Sequence, residues 1–314
     1  MQNFLYTIIS AFTTCLILKF LIPLLRNFKF LDIPNYRSAH IKTKVNGGGV
    51  AFIFTTLIGS FSQGTIELLI LLPLAIIGFL DDKFKIKSIF RFIIQLTTVL
   101  VILHISKISG YLLIDNFSII NTLVFGFLIF FGVGLINCIN FMDGIDGLVG
   151  ITLTPAIFLI ATNFYTNAFV LLGGIIGFLF WNWSPSKVFM GDTGSLFLGS
   201  YLCYSIYTAP EFEIGISICL LLSPLILDSG FTLFRRIINK ENIFIAHKSH
   251  LYQRLEQNGL SHSKVSIIYF LSALFLLLIY NLTGLYGLII GSIIVFLIGI
   301  YLNQNFTLEK FRSQ

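Results

Sequence analysis

The stretch Ile119-Ile-Asn-Thr-Leu-Val-Phe-Gly-Phe-Leu-Ile-Phe-Phe-Gly-Val-Gly-Leu-Ile136 runs straight into Asn137-Cys-Ile-Asn140-Phe-Met-Asp143-Gly-Ile-Asp146-Gly147. A largely apolar run, long enough to cross most of a hydrocarbon core of about 30 Å, thus ends in amides, carboxylates and glycines. Two Asn, two Asp and two Gly within eleven residues exceed what a turn between spans needs. Exposed amides and carboxylates there could hydrogen-bond a polar base or sugar, although an ordinary Asp-Gly turn is the simpler alternative.

The same alternation recurs along the chain. Hydrophobic residues make up 56% of the 314 positions and charged ones 11%, with 34 Phe, far from the roughly 25% charged residues of soluble domains. Apolar runs predict spans near 4–25, 47–62, 66–80, 92–106, 119–136, 148–163, 166–181, 195–209, 214–234, 265–282 and 284–302. The expected fold is an all-α integral membrane protein of about 11 transmembrane helices, one polytopic domain over residues 1–314. The first segment lacks a basic leader region and a small-residue cleavage site, so it reads as a retained span. Cys15, Cys138, Cys203 and Cys219 stand singly in or beside apolar runs and read as small core hydrophobes.

Lys and Arg mark the cytoplasmic side of short loops. The loops after spans 1, 3, 5, 7 and 9, with the tail, carry 18 of the 20 Lys and Arg, Lys19 and Lys107 being the exceptions. The opposite loops hold Glu67, Asp115, Glu211 and Glu213. The N-terminus is therefore expected outside and the C-terminus in the cytoplasm of a multi-pass membrane protein. The net charge of +6 reflects this topology and anionic membrane lipid; no nucleic-acid-binding module is recognisable.

Polar clusters at membrane depth are expensive and so point to function. They fall in segments near 26–46, 81–91, 137–147, 182–195 and 235–264. The first runs from Asp32 through Arg37, His40, Lys42 and Lys44 to Gly47-Gly-Gly49; it could hold an anion, or be a basic juxtamembrane loop leading into small-residue packing. Asp81-Asp82-Lys83-Phe-Lys85, with Arg91, matches a hard cation and phosphates, or a helix end with solvated charges. Asn182 to Ser195 contains Gly191-Asp192-Thr-Gly-Ser, a carboxylate flanked by bare amides. In the last cluster His247 and His250 are expected on one helix face with Arg254, suited to pyrophosphate oxygens. A zinc pair is disfavoured there, because no thiolate lies nearby. Asp228 reads as a sixth contributor or as a packing group paired with Arg235 or Arg236.

As an ordered set, Asp81-Asp82-x-x-Lys85, Asn137-x-x-Asn140-x-x-Asp143-Gly-x-Asp-Gly-Leu and Phe189-Met-Gly-Asp192-x-Gly-Ser resemble the polyprenyl-phosphate N-acetylhexosamine-1-phosphate transferases. That family includes phospho-MurNAc-pentapeptide translocase and the enzymes that initiate surface polysaccharides. The resemblance implies that a polyprenyl phosphate oxygen attacks the β-phosphorus of a UDP-N-acetylhexosamine, with undecaprenyl phosphate as acceptor and UMP as leaving group. It implies Mg²⁺, for which Mn²⁺ can stand in, with Asp192 as principal metal ligand. Asp81 and Asp82 would position or deprotonate the lipid phosphate, Lys85 and Arg91 would bind phosphates, and Asn137, Asn140, Asp143, Asn182 and Phe189 would surround the nucleotide. A homodimer is common in the family, and the resemblance implies a bacterial inner (plasma) membrane with the active site facing the cytoplasm.

Two departures matter. The family's first loop reads Pro-x-Pro-Arg, where this chain has Thr43, Val45 and Asn46, leaving Lys42 or Lys44 to substitute for the arginine. The last motif, His247-x-x-His250-x-Tyr-Gln-Arg254, lacks consecutive histidines, which resembles the branch that starts surface polysaccharides with GlcNAc or N-acetylated 6-deoxyhexoses more than the pentapeptide translocase. A transporter or flippase, the competing class, would show broken helices, midplane charges and an internal repeat.

Overall fold

A computed structural model describes residues 2–34, 42–108, 118–242 and 247–306. Arg37 and His40 of the first cluster, Asp115 and the basic tail lie outside the described residues.

Among the described residues the fold is all-α apart from one small hairpin. In chain order come α1 (Gln2–Asn27), β1 (Leu31–Asp32), β2 (Lys44–Val45), α2 (Gly49–Ser62), a 3₁₀ turn (Glu67–Leu71), α3 (Leu72–Phe84), α4 (Ser88–Ile105) and α5 (Ile119–Met142). They are followed by α6 (Leu148–Thr152), α7 (Thr154–Asn163), α8 (Ala168–Asn182), α9 (Gly191–Tyr207), α10 (Phe212–Leu221), α11 (Ser223–Ile238), α12 (Leu251–Gln257) and α13 (His262–Asn305). Among the described residues α1, α4, α5 and α13 are long and apolar enough to cross a membrane, and α10 with α11 make a fifth candidate if counted as one bent span. The chain is a multi-pass membrane protein.

Local chemistry sets the helix limits. Ser118 caps α5 by accepting from the Asn121 amide at 3.1 Å, and Ser261 caps α13 by accepting from that of Lys264 at 3.4 Å. Prolines break two of the spans read as continuous. The 148–163 segment divides at Leu153, ahead of Pro155, and the 214–234 segment divides at Leu222, ahead of Pro224, with a 68° bend. A proline ring supplies no N–H and crowds the preceding turn, so each begins a new helix. A broken span is also what a transporter would show, but here the carboxylates gather around the N-terminus of α9. The run 66–80 is a 3₁₀ turn followed by α3, which carries on through Asp81 and Asp82. Gly284, at φ 67°, breaks α13 between the two spans expected there.

Helix α9 is the axis of the molecule, with nearly every residue buried, and it packs against α2, α3, α4, α5 and α10. On the opposite flank α1 lies against α8, where small residues bring the backbones together. A Cβ at Gly173 would stand 2.1 Å from the Thr7 carbonyl oxygen, and one at Gly177 would stand 2.2 Å from that of Ala11. The Ser10 hydroxyl donates to the Val170 carbonyl at 2.6 Å, and Thr14 and Thr55 share a 2.8 Å bond. The hairpin pairs Leu31 with Val45 and Asp32 with Lys44, while Val45 also bridges Val188, tying the first loop to the segment before α9.

Gly177→Leu meets backbone that can yield only by separating α1 from α8. We expect it to lower the thermal midpoint by several degrees, in line with overpacking costs of about 1–3 kcal/mol. Gly126→Leu, where no atom lies within 4 Å, should leave the midpoint unchanged in the same detergent melt.

Candidate active site

The segments expected to be loops are largely helix ends. Asp81 and Asp82 occupy the last turns of α3, Arg91 the first turn of α4, Asn137 and Asn140 the end of α5, Asn182 the last position of α8, and Asp192 the first turn of α9. Helix termini hold a side chain more rigidly than a loop does, and their unpaired backbone groups add partial charge.

The centre is built on Asp82, which is 5% exposed. One of its oxygens accepts from the Asp192 amide and from Asn46 Nδ2, both at 2.9 Å. The other accepts from the Thr193 amide at 3.2 Å and the Thr193 hydroxyl at 2.6 Å. Asp82 therefore caps α9, pairing with two of its orphan donors. Gly191 makes the approach feasible: its φ is 71°, and a Cβ there would lie 2.3 Å from an Asp82 oxygen. Asn46, which occupies the place of the missing loop arginine, is brought in by the hairpin, its amide donating to the Phe30 carbonyl at 3.0 Å.

Asp81 and Asp192 meet on Arg91. One guanidinium nitrogen lies 2.8 Å from Asp81 Oδ2 and also bonds Asp192 Oδ2. Asp81 accepts in addition from the Ile86 amide, and Asp192 Oδ1 accepts from Asn140 Nδ2 at 2.9 Å, an amide that also reaches Ser195. Asp143 caps the end of α5, its backbone amide donating to the Asn140 carbonyl at 3.3 Å, and its carboxylate has no hydrogen-bond partner among the described residues. Burial, then the carboxylates of Asp192, Asp82, Asp146 and Asp32, push its carboxyl well above the usual range. Asp82, Asp143 and Asp192 thus share one electrostatic environment.

A second knot lies beside this one. Asp146 accepts from the Ser186 hydroxyl at 2.8 Å and the Ser186 amide at 3.1 Å, and it lies 3.4 Å from His262 Nδ1. Burial alone would raise its carboxyl, but the His262 and Ser186 contacts outweigh this and hold it below the ordinary value. Lys44 bonds the Ser186 carbonyl. Asn182 is 3% exposed and clips the Asn137–Gly147 segment to the approach to α9, accepting from the Gly147 amide and donating to the Val188 carbonyl, both at 2.9 Å. Phe189 is half-buried, its backbone bonded to Val45 and Gly48. Lys85 ends α3 in a left-handed conformation and is exposed.

Four residues stand differently from their sequence-based placement. Asn137 forms a reciprocal amide pair with Gln95 of α4, at 2.9 and 3.1 Å, so its side chain joins two helices. His247 and His250 do not share a helix face, because α12 starts only at Leu251; their rings still lie 4.9 Å apart. Asp228 bonds the start of α12 instead of being held by Arg235 or Arg236; Arg235 reaches the Ser249 carbonyl, and Arg236 pairs with Glu241 at 2.9 Å. Burial, then His250, Arg236 and Arg235, bring His247 down to about 4, so it is neutral at physiological pH, and its Nδ1 accepts from Ser249. Arg254 is tied to Asn303 of α13.

Gln95, Ser186 and His262 were not singled out by sequence. Asn46, Thr193 and Ser195 stood inside the quoted loop and glycine turn, where their position beside glycines was the signal, but no role was assigned to them. Among the described residues no group of three or more His, Cys, Asp or Glu forms a complete metal cage. The donors that do converge, two carboxylates and an amide, are hard and free of thiolate. They fit Mg²⁺ or Mn²⁺, which are usually held by one or two carboxylates with substrate phosphates and water.

Residues 65–209 match the model of glycosyl transferase family 4. The chain is 31% identical over 301 residues to a probable undecaprenyl-phosphate N-acetylglucosaminyl 1-phosphate transferase of Bacillus subtilis (strain 168), covering 85% of this chain and 81% of the relative. It is 29% identical to an undecaprenyl-phosphate alpha-N-acetylglucosaminyl 1-phosphate transferase of Thermotoga maritima, over 78% of each chain. A phospho-N-acetylmuramoyl-pentapeptide-transferase of Staphylococcus haemolyticus is 27% identical, over 92% of this chain and 99% of the relative. Taken with the carboxylate centre at the head of α9, this likeness across most of the chain places it among the membrane transferases: it belongs to glycosyl transferase family 4.

Proposed function

We propose that this chain transfers N-acetylhexosamine 1-phosphate from a UDP-sugar to undecaprenyl phosphate, releasing UMP and starting lipid-linked surface polysaccharide synthesis. The observation that carries the reading is the meeting of Asp81 and Asp192, from separate helices, on one Arg91 nitrogen. The names of the Bacillus and Thermotoga relatives favour GlcNAc as the sugar; an N-acetylated 6-deoxyhexose is the second candidate. The distribution of Lys and Arg supports a plasma-membrane protein with this site at the cytoplasmic face.

Asp192 would hold Mg²⁺, with Asp81 beside it, and the metal when bound would neutralise the diphosphate and the departing UMP. With four donors around it, Asp82 would fix the head of α9, and Asp81 would position the lipid phosphate. A phosphate monoester is already largely ionised at neutral pH, with a second pKa near 6, so positioning suffices and proton abstraction is not required. Arg91 would turn from the two carboxylates to incoming phosphates, joined by Lys85. Asn140 orients Asp192. Asp143 and Phe189 would face uracil, while Asn182 shapes that wall and Asn137 supports it from the α4–α5 contact. His247, His250 and Arg254 would flank the pyrophosphate.

Purified protein supplied with undecaprenyl phosphate and a panel of UDP-sugars should release UMP only with Mg²⁺ or Mn²⁺. Asp192→Ala should lower the rate by at least about 10³-fold. UMP release from UDP-MurNAc-pentapeptide, and from no UDP-N-acetylhexosamine, would replace this reading with the peptidoglycan reaction.

Asp81→Asn should lose the same factor at every pH from about 6.5 to 9. Activity that returns at high pH, where the lipid phosphate is fully ionised, would make Asp81 a general base.

For Asp143 the sign follows from its raised carboxyl. The folded state keeps the proton longer than the unfolded chain does, whose Asp titrates near 3.9, so stability falls as pH rises from about 4 through the folded value. Asp143→Asn removes that penalty. Without divalent cation it should melt higher than the parent at pH 8, melt equally at pH 4, and bind uridine nucleotides less tightly; an equal melting difference at both pH values would refute the assignment.

A further inference from the structure

Asp228 lies on α11 beyond the bend at Leu222, outside the carboxylate centre, and its side chain is 2% exposed. Isolated carboxylates at such depth are costly; this one is surrounded by donors. Oδ1 accepts from the Leu251 amide at 2.7 Å, and Oδ2 accepts from the Tyr252 amide at 3.2 Å and the Tyr269 hydroxyl at 2.6 Å. Thr232, one turn on, adds a long 3.4 Å contact. The two amides open α12, so a carboxylate from α11 closes a helix end to which the bond from the His250 amide to Gln253 also contributes.

The geometry reaches the centre by two routes. His250, the residue before α12, has its Nδ1 3.7 Å from Asp228 Oδ1, and its ring lies 4.9 Å from His247 and 6.5 Å from Phe141. Tyr252, whose amide Asp228 holds, sends its hydroxyl to the Phe141 carbonyl at 3.1 Å. That hydroxyl rests on Gly144, where a Cβ would lie 2.1 Å away. Phe141 and Gly144 flank Asp143. The contacts therefore run from α11 and α13 through Asp228 to the start of α12, and on to the histidines and the end of α5.

We propose that Asp228, held by Tyr269, is a positioning residue that sets His250 and the head of α12 against the Asp143 side of the site. It acts on sugar-nucleotide binding through His250 without touching substrate. The proposal rests on the transferase reading, within which it assigns this buried acid a role. Asp228→Asn keeps the shape but turns an NH₂ toward a backbone N–H, so the head of α12 must shift.

The test is a double-mutant cycle in the full-length protein, measuring Mg²⁺-dependent UMP release with monodispersity and thermal midpoint as fold controls. Asp228→Asn should lower kcat/KM for the UDP-sugar about 30-fold, mainly by raising KM, as expected when a hydrogen bond to a charged group is lost. In a His250→Ala background the same change should cost less than about 2-fold, because the two residues act as one unit. Tyr269→Phe removes a single donor, should cost about 3-fold with the same non-additivity, and serves if Asp228→Asn does not fold. Multiplicative effects, or wild-type kcat/KM in Asp228→Asn or, where that variant does not fold, in Tyr269→Phe, would overturn the proposal. A parent protein that releases no UMP from any UDP-sugar would instead overturn the transferase reading.

Discussion

A carboxylate buried at the edge of a membrane bundle must find donors or become protonated, and Asp82 finds four of them. Two are the first free amides of α9, one is the Thr193 hydroxyl, and one is the Asn46 amide from the hairpin loop. Three chain segments thereby acquire a common origin: the end of α3, the head of α9 and the turn leading into α2. Asp81, the neighbour of Asp82, is then aimed at Arg91, and Asp192, whose own amide is held, is aimed at the same guanidinium.

The bilayer shapes the rest. Within hydrocarbon, close packing and a few interhelical hydrogen bonds hold helices together. The α1–α8 contact, with Gly173 and Gly177 against carbonyl oxygens and Ser10 bonded to Val170, is of that kind, as is the Gln95–Asn137 amide pair between α4 and α5. The polar chemistry is gathered where helices end, because there the backbone already offers unpaired donors and acceptors. Asp82 and Asp228 use the same device in different places: each carboxylate closes the N-terminus of a helix it does not belong to.

The helical, membrane-spanning character was readable from the length of the apolar runs and from composition, since each apolar run is a local property. Most breaks were less so. Pro155 and Pro224 mark new helices, but a proline among apolar residues does not say how far the chain turns, and the 68° bend depends on what α11 packs against. At the site, Asp81, Asp192, Asn140 and Asp143 were each suspect from the cost of polar groups at such depth, and the fold joins the first three through Arg91 and the Asp192 carboxylate. Asn137 and Asn182 were suspect for the same reason, yet their amides serve as clips. Both kinds of residue look alike in sequence, because an amide that joins helices and one that meets a ligand are equally conspicuous among Phe, Leu and Ile.

What the amino-acid order determined alone was the solvent and the inventory: lipid around the helices, acids and bases confined to a few short segments, and the motifs that signal phosphate chemistry. Only the tertiary structure decided the assignment of partners. Whether Asp82 or Asp81 caps α9, whether Asp228 pairs with an arginine or with the head of α12, and where Asn46 points all depend on contacts between residues from tens to more than a hundred positions apart. Such contacts leave no local trace, because hydrogen bonding is decided by distance and direction in space, whereas hydrophobicity is carried by each residue wherever it lies.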